Sequence, residues 1–359
     1  MKNNKNQISQ VVEQLEDVLK KTGSIFILNI EIKKQIFPGI CLDAVVEVEL
    51  PGRKRGRLWI EYISRGQPNP VRLAALQLKD LIKQHGLKND YPVVAAPGLS
   101  SKALQICKDM QVNAIDLLGN CHLKMGLVLL DIYGRRPEKE ERSLRSIFSL
   151  KSSRVIRLML LNDIRPWKVE DLKNKADVSI GLIPQVKKAL IEWEMGRKVQ
   201  GGFILSDPGS LLEKWSEDYD PKKLPSASFF SLGQPRQIEE KLIESGSEHN
   251  MNVALGSFSG ASRVAPAVRY NVVDAYVFGD ESNLQKLSQS CGLKKVDSGP
   301  NVRLHFCEDP FLFSLTQEVG ASRVMDDIQL FLDLKNRSGR GEEAAQALLE
   351  ERIKPRWQL

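Results

Sequence analysis

Gln185, Lys187, Lys188, Arg197 and Lys198 are the residues of this chain whose types and spacing best fit a chemical task. A glutamine amide donates and accepts at once, which suits the edge of adenine, while lysine and arginine neutralise phosphates. Such a set recognises a duplex and breaks no bond. It works only if a helix presents the glutamine with its lysines and a neighbouring ribbon presents the other two cations.

The surrounding sequence has elements in that order. SSRVIRLMLLN reads as an apolar helix, followed by Trp167, a second helix in KVEDLKNKA, a turn at Asp177-Val178, a third helix in SIGLIPQVKKALIEWE and a hairpin in RKVQGGFILS. This is the order of a winged helix-turn-helix, whose third helix enters the major groove. Val155, Ile156, Met159 and Leu160 share one side of the first helix; Val169, Leu172 and Ala176 turn inward from the second. In the third, Val186, Leu190 and Trp193 face the core, leaving Ser179, Gly181, Leu182, Gln185, Lys187 and Lys188 outward or flanking. Ser179 is expected as the N-cap and Gly201-Gly202 as the hairpin turn. Pro184 lacks an N–H, so the third helix either begins after Ser179 or is kinked at its DNA-facing end. A winged helix can also bind protein, in which case its binding would not weaken steeply with salt.

Composition sets the frame. The chain has 359 residues, 42% of them hydrophobic, enough for two or three domains. Its 52 basic and 45 acidic residues leave +7, and residues 146 to 205 hold 11 Lys/Arg against 6 Asp/Glu, so +5 of that charge lies in this segment. Five cysteines without regular spacing point to a reducing compartment. Cys121-His122 and His305 with Cys307 lack the spacing that gathers four zinc ligands, so no metal and no cofactor is expected. The start, MKNNKNQISQ, has no apolar export core, and no run reaches membrane-spanning length. A cytoplasmic location with no membrane partner follows as the expectation.

Three segments are expected. Residues 1–135 alternate helix and strand signals and read as an α/β domain, including a hairpin around Gly119-Asn120 between NAIDLL and CHLKMGLVLLDIY. RRPEKEERS reads as a charged linker, 145–207 as the winged helix-turn-helix, and DYDPKKLP as a second break before an α/β domain at 226–359. The fold class is thus multidomain α/β and α+β.

The stretch from Ser152 to Trp215 resembles the winged helix of type IV toxin–antitoxin antitoxins of the AbiEi type. IDLLGNCHL resembles a strand-turn-strand signature of such proteins, and DDIQLFLDLKNRSGRGEEAAQALLEERIKP resembles their carboxy-terminal helices. The resemblance implies a bacterial or archaeal DNA-binding regulator that represses its own operon. It adds a nucleotidyltransferase-like toxin to double-stranded DNA as an expected partner; the flanking domains are expected to supply dimerisation, partner binding or an effector site, so a second copy of the chain is expected as well. Pro184 departs from the small polar residues usual there.

The amino-terminal order, helix, three strands, helix, strand, helix, strand, is similar to the restriction-endonuclease-like fold of the PD-(D/E)xK nucleases. In those enzymes an acid on one strand and an acid and lysine two apart on the next hold Mg2+ and activate water. Asp43 or Glu49 would be the first acid and Glu61 the second, but the lysine place is Ile63. The expectation is a retained scaffold with vestigial acids and no catalysis; its rival is a metal-dependent DNA nuclease targeted by the helix-turn-helix. Gly256-Ser257 followed by Asp274 resembles the glycine-serine and acidic strand of nucleotidyltransferases, yet Asp274-Ala275-Tyr276 supplies one acid where paired metals need two. Core and turn roles are expected there.

Overall fold

The computed structural model describes residues 2–86, 88–134 and 147–358. The charged stretch 135–143 lies outside them. The chain forms two compact units: Met1–Ser146 with Lys188–Glu194, and Ile147–Lys187 with Met195–Leu359.

In the first unit, α1 (Lys2–Lys20) precedes β1 (Phe26–Phe37), β2 (Ile40–Leu50) and β3 (Lys54–Tyr62). Then come α2 (Pro68–His85), β4 (Asp90–Ala96), α3 (Ser101–Asp109), β5 (Asn113–Asp116), β6 (Cys121–Met125) and β7 (Val128–Ile132). The seven strands form one sheet in sequence order. Pairing is antiparallel from β1 to β3, parallel across β3, β4 and β5, and antiparallel from β5 to β7. Ile8, Val11, Leu15 and Leu19 of α1 bury themselves with Ala44, Val46, Leu58 and Ile60. On the other side of the sheet, Val71, Ala75, Leu78, Leu104 and Cys107 from α2 and α3 pack with Val45, Trp59, Val94 and Ala114. Alternating side chains along each strand therefore feed two apolar layers.

Turn chemistry sets the strand ends. Pro38 and Gly39 join β1 to β2, Gly39 taking the positive φ of +84° that a type II turn requires. Asp116 organises the expected hairpin: its carboxylate accepts from the backbone N–H groups of Leu99, Leu118 and Asn120 and from the Asn120 side chain. The segment CHLKMGLVLLDIY, expected as one run, is two strands, because Gly126 with φ +61° turns the chain between β6 and β7.

Next along the chain come three helices, α4 (Leu150–Leu160), α5 (Val169–Ala176) and α6 (Leu182–Glu192), of which α4, α5 and the first part of α6 up to Lys187 belong to the second unit, followed in that unit by the antiparallel pair β8 (Gly196–Val199) and β9 (Gly202–Leu205). After α7 (Pro208–Asp218) follow β10 (Ser226–Phe230), α8 (Pro235–Glu248), β11 (Val253–Leu255), α9 (Ser257–Val264), β12 (Val273–Phe278), α10 (Glu281–Ser290), β13 (Lys294–Lys295) and β14 (Val302–Cys307). The chain continues through α11 (Pro310–Ser314), β15 (Gln317–Val319), β16 (Ser322–Val324), α12 (Asp327–Lys335) and α13 (Gly341–Leu348). The larger sheet has the order β13-β10-β14-β12-β11-β16-β15, with β12 and β14 parallel. Residues Asp327 to Leu334 of α12 are all buried. No helix among the described residues is long and apolar enough to cross a membrane.

Candidate nucleic-acid interface

The helices α4, α5 and α6 bury the residues their periodicity marks. Val155, Ile156, Met159, Leu160, Leu172, Ala176, Val186, Leu190 and Trp193 are all buried. Val169, expected inward, is half-buried at the start of α5. Asp177 ends α5 in the left-handed region, φ 50° and ψ 59°, a conformation that asparagine and aspartate tolerate better than most side chains. Two expectations need correction. The third helix begins at Leu182, so Ser179 is not its N-cap; the Ser179 carbonyl instead accepts from Leu182 N–H. Pro184 then falls in the first turn, where no N–H has an intrahelical partner to lose, and the helix needs no kink.

The ribbon turn is also one residue earlier than expected, at Gln200-Gly201, with Val199 paired to Gly202. Trp167 adds a third extended segment. Its N–H donates to Phe203 O at 2.7 Å, and Phe203 N–H donates to Trp167 O at 2.9 Å. That close pairing explains Gly202, since a Cβ there would lie 2.4 Å from the Trp167 carbonyl oxygen.

The sequence-expected contact residues differ in availability. Ser179, Gly181, Gln185, Lys188, Arg197 and Lys198 are exposed; Leu182 and Lys187 are half-buried. Lys187 lies with its ammonium 5.2 Å from the centroid of the Phe203 ring. Its pKa is lowered, first by burial and second by the charge of Lys198. Two cations of the segment are already committed. Arg157 is buried, donates to both oxygens of Asp326 and to Gln329 Oε1, and stacks 5.0 Å from Trp215. Arg154 pairs with Asp309 at 2.7 Å and Asp177 at 3.2 Å. Neither contributes free charge to a surface, a distinction that charge counting misses.

The acids of the amino-terminal sheet separate in the same way. Asp43 on β2 and Glu61 at the end of β3 are neighbours, one rung beyond the paired Ala44 and Ile60, whereas Glu49 pairs opposite Phe26 and Arg55 at the far end of β2. Burial and the Asp43 charge push the Glu61 carboxyl up to about 7. Ile63 supplies no lysine, but β1 does: Lys33 Nζ lies 2.8 Å from Asp43 Oδ1, while Asp43 Oδ2 accepts from Tyr62 N–H at 3.0 Å. Sequence reading missed Lys33, whose place depends on hairpin register.

In the carboxy-terminal domain, Asp274 is wholly buried, accepts from Arg337, and has His305 Nε2 3.5 Å away. Tyr276, two residues on, donates its hydroxyl to Asp333. The one carboxylate thus sits against a guanidinium, and Tyr276 stands where a second acid would be needed. Among the described residues, no group of three His, Cys, Asp or Glu side chains is arranged to hold a metal ion.

Comparison with known proteins places part of this architecture. Residues 204–354 match the family described as "Transcriptional regulator, AbiEi antitoxin, Type IV TA system". No curated protein matches the chain. Among solved structures, EndoMS in its apo form matches at 16% identity and a TM-score of 0.20, covering 30% of this chain and 45% of that one. From the second strand of the ribbon through the carboxy-terminal helices, the chain is therefore similar to the AbiEi antitoxins, the family its sequence motifs also resemble.

Proposed function

We propose that the protein is a cytoplasmic DNA-binding transcriptional regulator, the antitoxin and autorepressor of a toxin–antitoxin pair. In this reading α4, α5, α6 and the ribbon work as a winged helix-turn-helix, with α6 in the major groove and Arg197 and Lys198 on the phosphate backbone. The observation that carries it is the exposure of Gln185, Lys188, Arg197 and Lys198 on one helix and the ribbon that follows it, the three cations forming no ion pair among the described residues. The family description over 204–354 supports a regulator with a toxin partner. The flanking domains would serve dimerisation and capture of a nucleotidyltransferase-like toxin. Mobility shift of the DNA upstream of the protein's own coding sequence tests the reading. Binding should weaken steeply with salt, and K187A/K188A should weaken it on all sequences alike. Salt-insensitive binding, or none, would leave a protein-binding adaptor as the better account.

A second reading, a metal-dependent DNA nuclease, is favoured by one observation: Lys33 reaches Asp43 and so stands in for the lysine missing at Ile63. Asp43 and Glu61 would hold a divalent cation, which supplies a Lewis acid when bound. The donor set is thin, since both Asp43 oxygens already have partners. Nicking of plasmid in Mg2+ or Mn2+ that is lost in both E61A and K33A would establish this reading; intact plasmid would remove it.

A further inference from the structure

Trp167 carries more than a packing role. Its ring is buried, yet the Arg165 guanidinium carbon lies 4.0 Å from its centroid and Lys175 Nζ 5.8 Å away. Both cations are exposed, and neither forms an ion pair among the described residues. Lys168, exposed at the start of α5, adds a third charge beside them. The acids nearest in sequence, Glu170 and Asp171, stand in the first turn of α5, where they meet the positive end of the helix, and form no ion pair with Arg165 or Lys175.

The platform is tied to the ribbon by the two backbone hydrogen bonds between Trp167 and Phe203, and Pro166 borders the ribbon turn, 3.8 Å from where a Cβ on Gly201 would lie. Cations therefore flank the three-segment ribbon on both edges, Arg197 and Lys198 on β8 and Arg165 on the Trp167 side. A guanidinium stacked on an aromatic face keeps its in-plane N–H donors free and surrenders little further side-chain freedom on meeting a phosphate. A half-buried lysine such as Lys187 lacks that advantage.

We infer that Arg165 and Lys175, held on the Trp167 ring, form a second grip on the phosphates of double-stranded DNA, beside the grip of the ribbon. The inference rests on the duplex-binding reading above and adds residues to its interface. It makes this contact independent of base sequence, because it meets only the sugar-phosphate chain.

Fluorescence anisotropy of a labelled duplex, titrated with the full chain at several salt concentrations, tests it. R165Q/K175Q should lower affinity on operator and unrelated duplex alike and make the log–log salt slope shallower by about 2. An unchanged slope in R165Q/K175Q, alongside weakening by K188A or R197A, overturns the platform and leaves the duplex-binding reading standing. Absence of salt-dependent duplex binding by the unmodified chain overturns both. Should the double variant lose its thermal transition, charge reversal at the exposed lysine alone, K175E, carries the same test: a uniform loss of affinity supports the platform and unchanged affinity overturns it.

Discussion

One nitrogen of the Arg157 guanidinium meets both carboxylate oxygens of Asp326 at 2.8 Å, joining the first helix of the trihelical unit to the helix α12 that Asp326 caps. Both side chains are buried. Removing one partner leaves the other charged and unsolvated, so R157A should destabilise the second unit by about 3–5 kcal/mol. Urea denaturation followed by tryptophan fluorescence measures it. The double variant R157M/D326N should recover part of that loss, since asparagine can keep the cap while the isolated charge is gone.

At Gly202 the backbone has φ +156°, and a Cβ would press on the Trp167 carbonyl. G202A should therefore cost about 2 kcal/mol or more and detach the ribbon from its third segment. Hydrogen exchange at the Trp167 and Phe203 amides is the direct readout. Protection retained at both sites would show that the pairing tolerates a methyl group.

The two lysines of α6 should differ. K188A, at an exposed position, is expected to reduce the salt slope of duplex binding by about 1 with little change in stability. K187A removes a stem packed over Phe203, and its larger effect should appear in the thermal midpoint. Equal salt slopes for the two variants would contradict their different burial.

Glu61 makes the first unit sensitive to pH. Its carboxyl is held at about 7 in the fold by burial and by Asp43, against an ordinary value of 4.5. Below pH 4.5 it is protonated folded or unfolded and costs nothing. As pH rises toward 7 the unfolded chain releases its proton more readily, so stability falls across that window and levels off above it. E61Q should abolish this component. Denaturation midpoints at pH 5 and pH 8 should show the variant gaining on the unmodified chain at the higher pH.

How far the fold was legible follows from the kind of signal involved. Helix faces were readable because Val155, Ile156, Met159 and Leu160 repeat at helical spacing and are buried as a group. The third helix starts at Leu182, with Ser179 taken up in a turn whose carbonyl accepts from Leu182 N–H, and the ribbon turn moved one residue to Gln200-Gly201 because Gly202 is paired with Val199 beside Trp167. Lys33 was invisible for a different reason. An unbroken hairpin from Phe37 and Ile40 would set Lys34 opposite Asp43, but a register shift between Gln35 and Phe37 puts Lys33 there. Arg154 and Arg157 count as surface charge in the sequence, and only their carboxylate partners, distant along the chain, withdraw them.

The pairing of Trp167 with Phe203 has a mechanical consequence. A hairpin attached only at its base can swing to suit the width of a groove, but one also tied at Phe203 to the loop before α5 by two backbone hydrogen bonds swings less. If a duplex is the partner, as proposed above, the adaptation falls to the nucleic acid, which would widen or bend to meet a stiffer receptor. Such a protein would favour sites by how easily they deform, even at base pairs it never touches.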